Sequence, residues 1–321
     1  MIGFRIDVMK KGTIYHANSK TTKSVNTVKV AKHWDSNGKN PPRQWLHNLY
    51  IREKVLLHPL NWHGGCWFNW LQNKYFQSPS ENALSLCCGS GQNERRMVQV
   101  RIAKKVTALD ISEGQLKRAR EESEKVGYDQ IIDYQHANIQ EVILPENQYD
   151  SVIVVAGLHH LVNLPHVFKQ IHRTLKPKGI FVLTEYVGPD HMDYTPWERE
   201  LIQKTLFSLD ENKRRGKSLG YLMERAGLQT REQAILRDPS EGVNSSLIMQ
   251  NLRNYFNVDV EIEMGHSLLR ECLYDLVDNF SYDDKKDQKI LDDLINLERS
   301  LRKHKIIENH HVFGVYRPKY K

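Results

Sequence analysis

Few cysteines and no long apolar stretch characterise this 321-residue chain. The four cysteines, Cys66, Cys87, Cys88 and Cys272, form no Cys-x-x-Cys pair, and two are adjacent inside an apolar segment. That set argues against a disulfide frame or a cysteine zinc site and suits reduced thiols in a cytoplasm. No apolar run approaches the roughly 18 residues that a membrane-spanning helix needs. Met1-Ile2-Gly3-Phe4-Arg5-Ile6-Asp7 opens the chain without a charged region leading into an apolar stretch, so no secretory signal is expected. No repeat is visible either. With 40% hydrophobic and 26% charged residues, the composition is that of an ordinary globular protein, expected in the cytoplasm.

The most informative segment runs Ala83-Leu84-Ser85-Leu86-Cys87-Cys88-Gly89-Ser90-Gly91-Gln92-Asn93-Glu94, followed further on by Leu109-Asp110-Ile111-Ser112. It reads as a short buried strand, a glycine turn, a helix, and a second strand ending on an acid. Asp110 lies 21 residues after Gly89. Such an arrangement builds a nucleoside pocket, with bare backbone against the ligand and a carboxylate for two ribose hydroxyls. A dinucleotide site needs Gly-x-Gly-x-x-Gly, yet the third glycine position is Glu94. An acid there suits the helix dipole but would repel a pyrophosphate. A cationic, phosphate-free nucleoside, S-adenosyl-L-methionine, fits better.

Leu84–Gly91, Ala108–Ser112, Tyr149–Leu161 and Thr174–Glu185 together resemble the core of a class I S-adenosyl-L-methionine-dependent methyltransferase over residues 81–186. The resemblance implies an α/β fold with a doubly wound, mostly parallel seven-stranded sheet, Rossmann-like, carrying helical additions at the N-terminus and inside the chain. It places the cofactor against Cys88, Gly89, Gly91 and Asn93, with Asp110 and Ile111 at the ribose. Asn138 and Ile139 follow the third strand, where the family usually has an adenine-binding Asp; an amide oxygen can accept the same bond. Glu185-Tyr186-Val187-Gly188-Pro189, Pro196–Glu200 and the stretch Pro239–Ser246 resemble a bacterial branch associated with surface-glycan and nucleotide-sugar biosynthesis. The stretch Asp190–Asp193 departs from that branch.

Chemistry is expected beyond the carboxyl ends of the strands. The fourth strand exits through Ala156-Gly157-Leu158-His159-His160, and methyl transfer to a hydroxyl often needs a base, for which imidazole has a suitable pKa. At most one of His159 and His160 can face the methyl group, and either can instead bond loop backbone. Glu185 and Tyr186 are expected on the acceptor side. A metal site from Glu185, Asp190, His191 and Asp193 is set aside, and no metal is assigned.

Five regions are expected: a basic, loosely structured leader (1–40), an aromatic-rich helical cap (41–80), the cofactor core (81–189), a mostly helical acceptor-side insertion (190–250), and closing strands with a charged helix (251–321). The net charge of +7 resides at the front, where residues 1–58 hold 11 Lys/Arg against 3 Asp/Glu. That leader is either solvated or a patch for an anionic partner, and peripheral membrane contact is one form of it. It carries no basic stripe interleaved with aromatics before Trp34, so nucleic acid is not an expected partner. The expected activity is O-methylation of a sugar or related small polar acceptor. The alternatives are N- or C-methylation of another metabolite or RNA, and a catalytically silent scaffold in glycan assembly. The oligomeric state is not legible.

Overall fold

A computed structural model describes residues 15–16, 27–36, 44–218, 220–226 and 228–320. Chain order gives helix α1 (Thr27–Ser36), α2 (Trp67–Tyr75), strand β1 (Ser80–Leu86), α3 (Gln92–Gln99), β2 (Ala103–Asp110), α4 (Glu113–Glu124), β3 (Ile132–His136) and β4 (Tyr149–Val155). It continues with α5 (Leu164–Thr174), β5 (Leu175–Tyr186), α6 (Pro196–Phe207), α7 (Arg231–Arg237), α8 (Ile248–Tyr255), β6 (Phe256–Gly265), α9 (Lys285–Lys303) and β7 (His311–Pro318).

The seven strands form one sheet in the order β3-β2-β1-β4-β5-β7-β6. The first five are parallel; β7 runs antiparallel to β5, and β6 antiparallel to β7. This is the doubly wound, Rossmann-like sheet of the sequence expectation, including its reversed edge. Helices on both faces bury the central strands, so β1 and β4 read as apolar runs rather than alternating patterns. Ala83, Leu84 and Leu86 in β1 and Val152–Val154 in β4 are all essentially inaccessible. The chain leaves β3 and crosses to β4 on the far side of β1. That reversal opens a crevice beyond the carboxyl ends of β1 and β4, the usual ligand position in such sheets.

Three local expectations give way. The leader is not wholly loose: ten of its residues form α1. Polar composition is overridden by anchoring, because Asp35 Oδ1 accepts from the Ser112 hydroxyl and from the Gly114 amide at 2.9 Å. The Trp34 carbonyl accepts from Gln115 Nε2 at 3.0 Å. The only other described part of the first 26 residues is Tyr15–His16, paired with Val142–Ile143; the lysines at 10, 11, 20 and 23 lie outside the described residues.

Trp45 and Trp70 are core residues, and Trp67 and Trp70 meet Phe313 of β7 edge-on. These aromatics pack beneath the sheet's reversed edge instead of capping the crevice. Between α6 and α7 the insertion is irregular where helix was expected. Side chains there hold the backbone carbonyls: Arg214 bonds those of Leu209 and Met223, and Arg199 bonds that of Gln229. The Lys213-Arg214-Arg215 run is structural in part, with Lys213 paired to Asp287 at 2.5 Å.

Candidate functional site

The turn after β1 requires left-handed backbone at Cys87 (φ 56°), Gly89 (φ 53°) and Gly91 (φ 75°). Glycine adopts that region without a Cβ penalty. The two glycines differ in surroundings. A Cβ on Gly91 would lie 2.2 Å from Tyr134 Oη, whereas one on Gly89 would meet nothing within 4 Å and project into open space. At the end of β2, Asp110 Oδ2 accepts from the Gly89 amide at 2.8 Å and Oδ1 from the Ser112 amide at 2.9 Å. Burial pushes the Asp110 carboxyl above its usual range, opposed by those amide donors.

A cavity of about 270 Å³ lies in the crevice. Cys88, Gly89, Asn93, Asp110, Ile111, Asn138 and Ile139 all line it, so the expected cofactor residues converge with one exception. Gly91 sits behind the wall, against Tyr134, as the residue preceding α3. Asn138 reaches the cavity, but its side chain closes its own turn, accepting from the Gln140 amide at 3.1 Å and donating to Glu141 at 2.8 Å. The outer wall was not foreseen. Val30 and Trp34 of α1 cover the cavity, and Trp34 meets the His160 ring edge-on at 5.1 Å. The only available signal was a lone tryptophan in a basic segment.

Glu94 corrects the argument from charge repulsion. It faces away from the cavity, buried between α3 and β1, where it accepts from the Ser85 hydroxyl. Burial pushes its carboxyl up to about 7. It fills the gap that the third glycine of a dinucleotide fold keeps closed. Glu94 is therefore a buried packing residue and not an exposed negative charge at the helix N-terminus.

The acceptor-side residues divide unexpectedly. Glu185, at the end of β5, is fully buried and accepts four hydrogen bonds: from the Gly157, Leu158 and Tyr186 amides and from His159 Nδ1 at 2.5 Å. It staples the β4 exit loop and does not line the cavity. Tyr186 is buried as well, donating from Oη to the Pro189 carbonyl at 2.9 Å. His159 turns inward between two acids, with Nε2 3.7 Å from Glu241 Oε1. Burial opposes its charge, but Glu185 and Glu241 outweigh that and raise it to about 9.

His160 alone of the pair lines the cavity. Its Nδ1 stands 3.1 Å from the Ser240 hydroxyl, which donates to Asp238 Oδ1 at 2.6 Å. With the serine proton committed to Asp238, the Ser240 oxygen accepts from His160, which places the imidazole proton on Nδ1 and leaves Nε2 bare. Burial and the neighbouring His159 charge push His160 down to about 4. Asp238, Ser240 and Glu241 thus clasp the His159-His160 dipeptide, and sequence reasoning gave none of the three a role there.

The acids and histidine of the Asp190–Asp193 stretch do not gather with Glu185. His191 Nδ1 donates to the Glu241 carbonyl, Asp190 accepts from the Ser246 amide, and Asp193 faces Arg199 at 3.7 Å.

Residues 84–183 match the family model of a methyltransferase domain. Among curated proteins, the 2-phytyl-1,4-naphtoquinone methyltransferase of Nostoc sp. is 25% identical over 122 residues, 38% of this chain and 53% of that protein. The demethylmenaquinone methyltransferase of Symbiobacterium thermophilum is 30% identical over 129 residues, 39% of this chain and 51% of that protein. The chain spans about half the length of these two relatives. Geranyl diphosphate C-methyltransferase from Streptomyces coelicolor A3(2), solved with Mg2+, geranyl diphosphate and S-adenosyl-L-homocysteine, superposes with a TM-score of 0.53. The match covers 93% of this chain and 100% of that one at 9% identity, a likeness of fold. Residues 84–183 therefore carry a methyltransferase domain, and the sheet around them has the fold of a solved methyltransferase.

Proposed function

We propose that this chain methylates a hydroxyl oxygen of a small polar acceptor, with a sugar in glycan assembly as the leading acceptor class. His160 carries the reading. Its imidazole lines the same cavity as Gly89 and Asp110, and the Ser240 contact leaves Nε2 free to take a hydroxyl proton. The cavity also fits the cofactor: open space lies where a Cβ on Gly89 would project, and a half-buried carboxylate, Asp110, lines it at the ribose end. When bound, S-adenosyl-L-methionine supplies an electrophilic methyl group on a sulfonium.

The chain's own residues do the rest. Gly89 lets backbone approach the ligand, Asp110 holds the ribose hydroxyls, and Trp34 with Val30 excludes water from above. His160 orients the acceptor hydroxyl and takes its proton as the methyl carbon leaves the sulfonium sulfur, which becomes a neutral thioether, for that oxygen. Asn93, Asp110, Gln115 and His160 give the cavity polar lining groups, which supports a hydroxylated acceptor. The apolar contribution of Val30, Trp34 and Leu161 favours a second reading, methylation of carbon or nitrogen on a less polar metabolite.

Labelled S-adenosyl-L-methionine offered with panels of sugars, nucleotide-sugars, quinones and amines decides between them. Methyl incorporation into sugar hydroxyls supports the first reading; incorporation only into quinones or amines replaces it with the second. Failure of the chain to bind S-adenosyl-L-homocysteine at all would leave only the silent-scaffold alternative.

A further inference from the structure

We infer that His159, His160 and Glu241 form a divalent-metal site in the partition between the cofactor cavity and a smaller cavity beside it. Each of the three offers a ligand atom, and those atoms all lie within 4.8 Å of one another. His159 Nε2 and Glu241 Oε1 are 3.7 Å apart. Donors on a tetrahedral ion with bonds of ~2.0–2.1 Å stand roughly 3.4 Å apart, so small side-chain rotations close the site.

The arrangement behind the donors is the second observation. Metal-binding histidines typically donate their other ring N–H to a carboxylate, which fixes the tautomer and aims the free nitrogen at the ion. Here both do so. His159 Nδ1 donates to Glu185, itself locked by three backbone amides, and His160 Nδ1 donates to Ser240, which is bound to Asp238.

Charge points the same way. Glu185, Glu241 and Asp238 converge on this partition. Asp238 Oδ2 is buried without a hydrogen-bond partner, 3.8 Å from His160 Nδ1 and 3.7 Å from His33 Nε2. Arg270 and Arg237 also act on Glu241 from the neighbouring cavity, and Arg270 makes its own hydrogen bond to Glu271. Three carboxylates thus stand within 3.8 Å of the two imidazoles, a setting that suits a divalent cation.

Two imidazoles and one carboxylate suit zinc, cobalt or nickel better than calcium or magnesium. His160 lines the cofactor cavity, and Glu241 lines the neighbouring cavity of about 60 Å³ with Arg237, Arg270 and Tyr274. An ion between them has a coordination position to spare for an acceptor oxygen, where it would acidify a hydroxyl in place of the free imidazole. That role rests on the proposed methyl transfer, whereas the binding itself does not.

The test is to strip the full chain with a chelator and titrate it with Co2+, following visible d–d absorption, and with Zn2+ by calorimetry. One equivalent should bind, with at least a tenfold loss of affinity in Glu241→Gln and in His159→Ala. S-adenosyl-L-homocysteine binding, measured on the same samples, reports that each variant is folded. Wild-type protein that binds neither ion, or folded variants that bind both as tightly as wild type, would overturn the site. Metal binding without S-adenosyl-L-homocysteine binding would keep the site and sink only the methyl-transfer reading.

Discussion

His160 Nδ1 and the Ser240 hydroxyl lie 3.1 Å apart, and the serine passes the interaction on to Asp238 Oδ1. The consequence is a neutral imidazole with a fixed tautomer. In metal-free Ser240→Ala the nearest acceptor for Nδ1–H is lost, and both tautomers should become populated. Nitrogen chemical shifts of labelled histidine check this: wild type should show the Nδ1–H form alone, at every pH from 5 to 8, because burial keeps His160 neutral. Identical shifts in wild type and variant would mean that Ser240 does not set the tautomer.

Asp110 is expected to account for much of the cofactor affinity. A hydrogen bond to a charged group contributes roughly 1.5–3 kcal/mol, so losing even one in Asp110→Ala should weaken S-adenosyl-L-homocysteine binding by at least about 10-fold. Part of that loss would come from the Gly89 amide, which gives up its partner in the variant. Asp110→Asn keeps an acceptor for Gly89 and should fall between the two. Calorimetry showing wild-type affinity in Asp110→Ala would remove Asp110 from the site.

Glu94 gives a pH signature with a definite sign. Its carboxyl is pushed up to about 7 in the folded chain from an ordinary value of 4.5. The folded state therefore holds a proton that the unfolded state has released between those values. Stability contributed by this group is greatest at low pH and declines as pH rises through 7, by up to roughly 3 kcal/mol. Glu94→Gln cannot titrate. The difference in urea unfolding free energy between variant and wild type should shift in the variant's favour between pH 5 and pH 8. A pH-independent difference would contradict the burial argument.

Legibility followed sequence distance. The parallel core could be read because each strand is a short apolar run ended by a turn residue, and because β1, Gly89 and Asp110 repeat a spacing fixed by ribose geometry. His160 could be read from its place just beyond β4. What escaped depended on contacts between distant segments: Asp238, Ser240 and Glu241 meet the dipeptide at 159–160 from some 80 residues away. Glu185 was placed at the right strand end with the wrong orientation. Alternation along a strand could not show that the loop amides of Gly157 and Leu158 would draw its carboxylate inward. Helix α1 escaped because its order comes from Ser112, Gly114 and Gln115 and not from its own composition.

Helix α1 should govern cofactor release. Trp34 and Val30 cover the cavity, and the helix is held down at one end by Asp35, whose bonds to Ser112 and Gly114 keep its carboxyl below the usual range. Trp34→Ala removes the cover directly, while Asp35→Ala loosens the anchor and leaves the cavity lining intact. Both should speed dissociation of S-adenosyl-L-homocysteine by about tenfold, equivalent to roughly 1.4 kcal/mol. Association should change less, and global stability little, because α1 packs on α4 outside the main core. Stopped-flow competition with excess unlabelled ligand measures the release rate. Wild-type rates in both variants would show that α1 lies over the cavity without closing it. A faster rate in Trp34→Ala alone would assign the effect to the indole ring and free the helix anchor from any part in it.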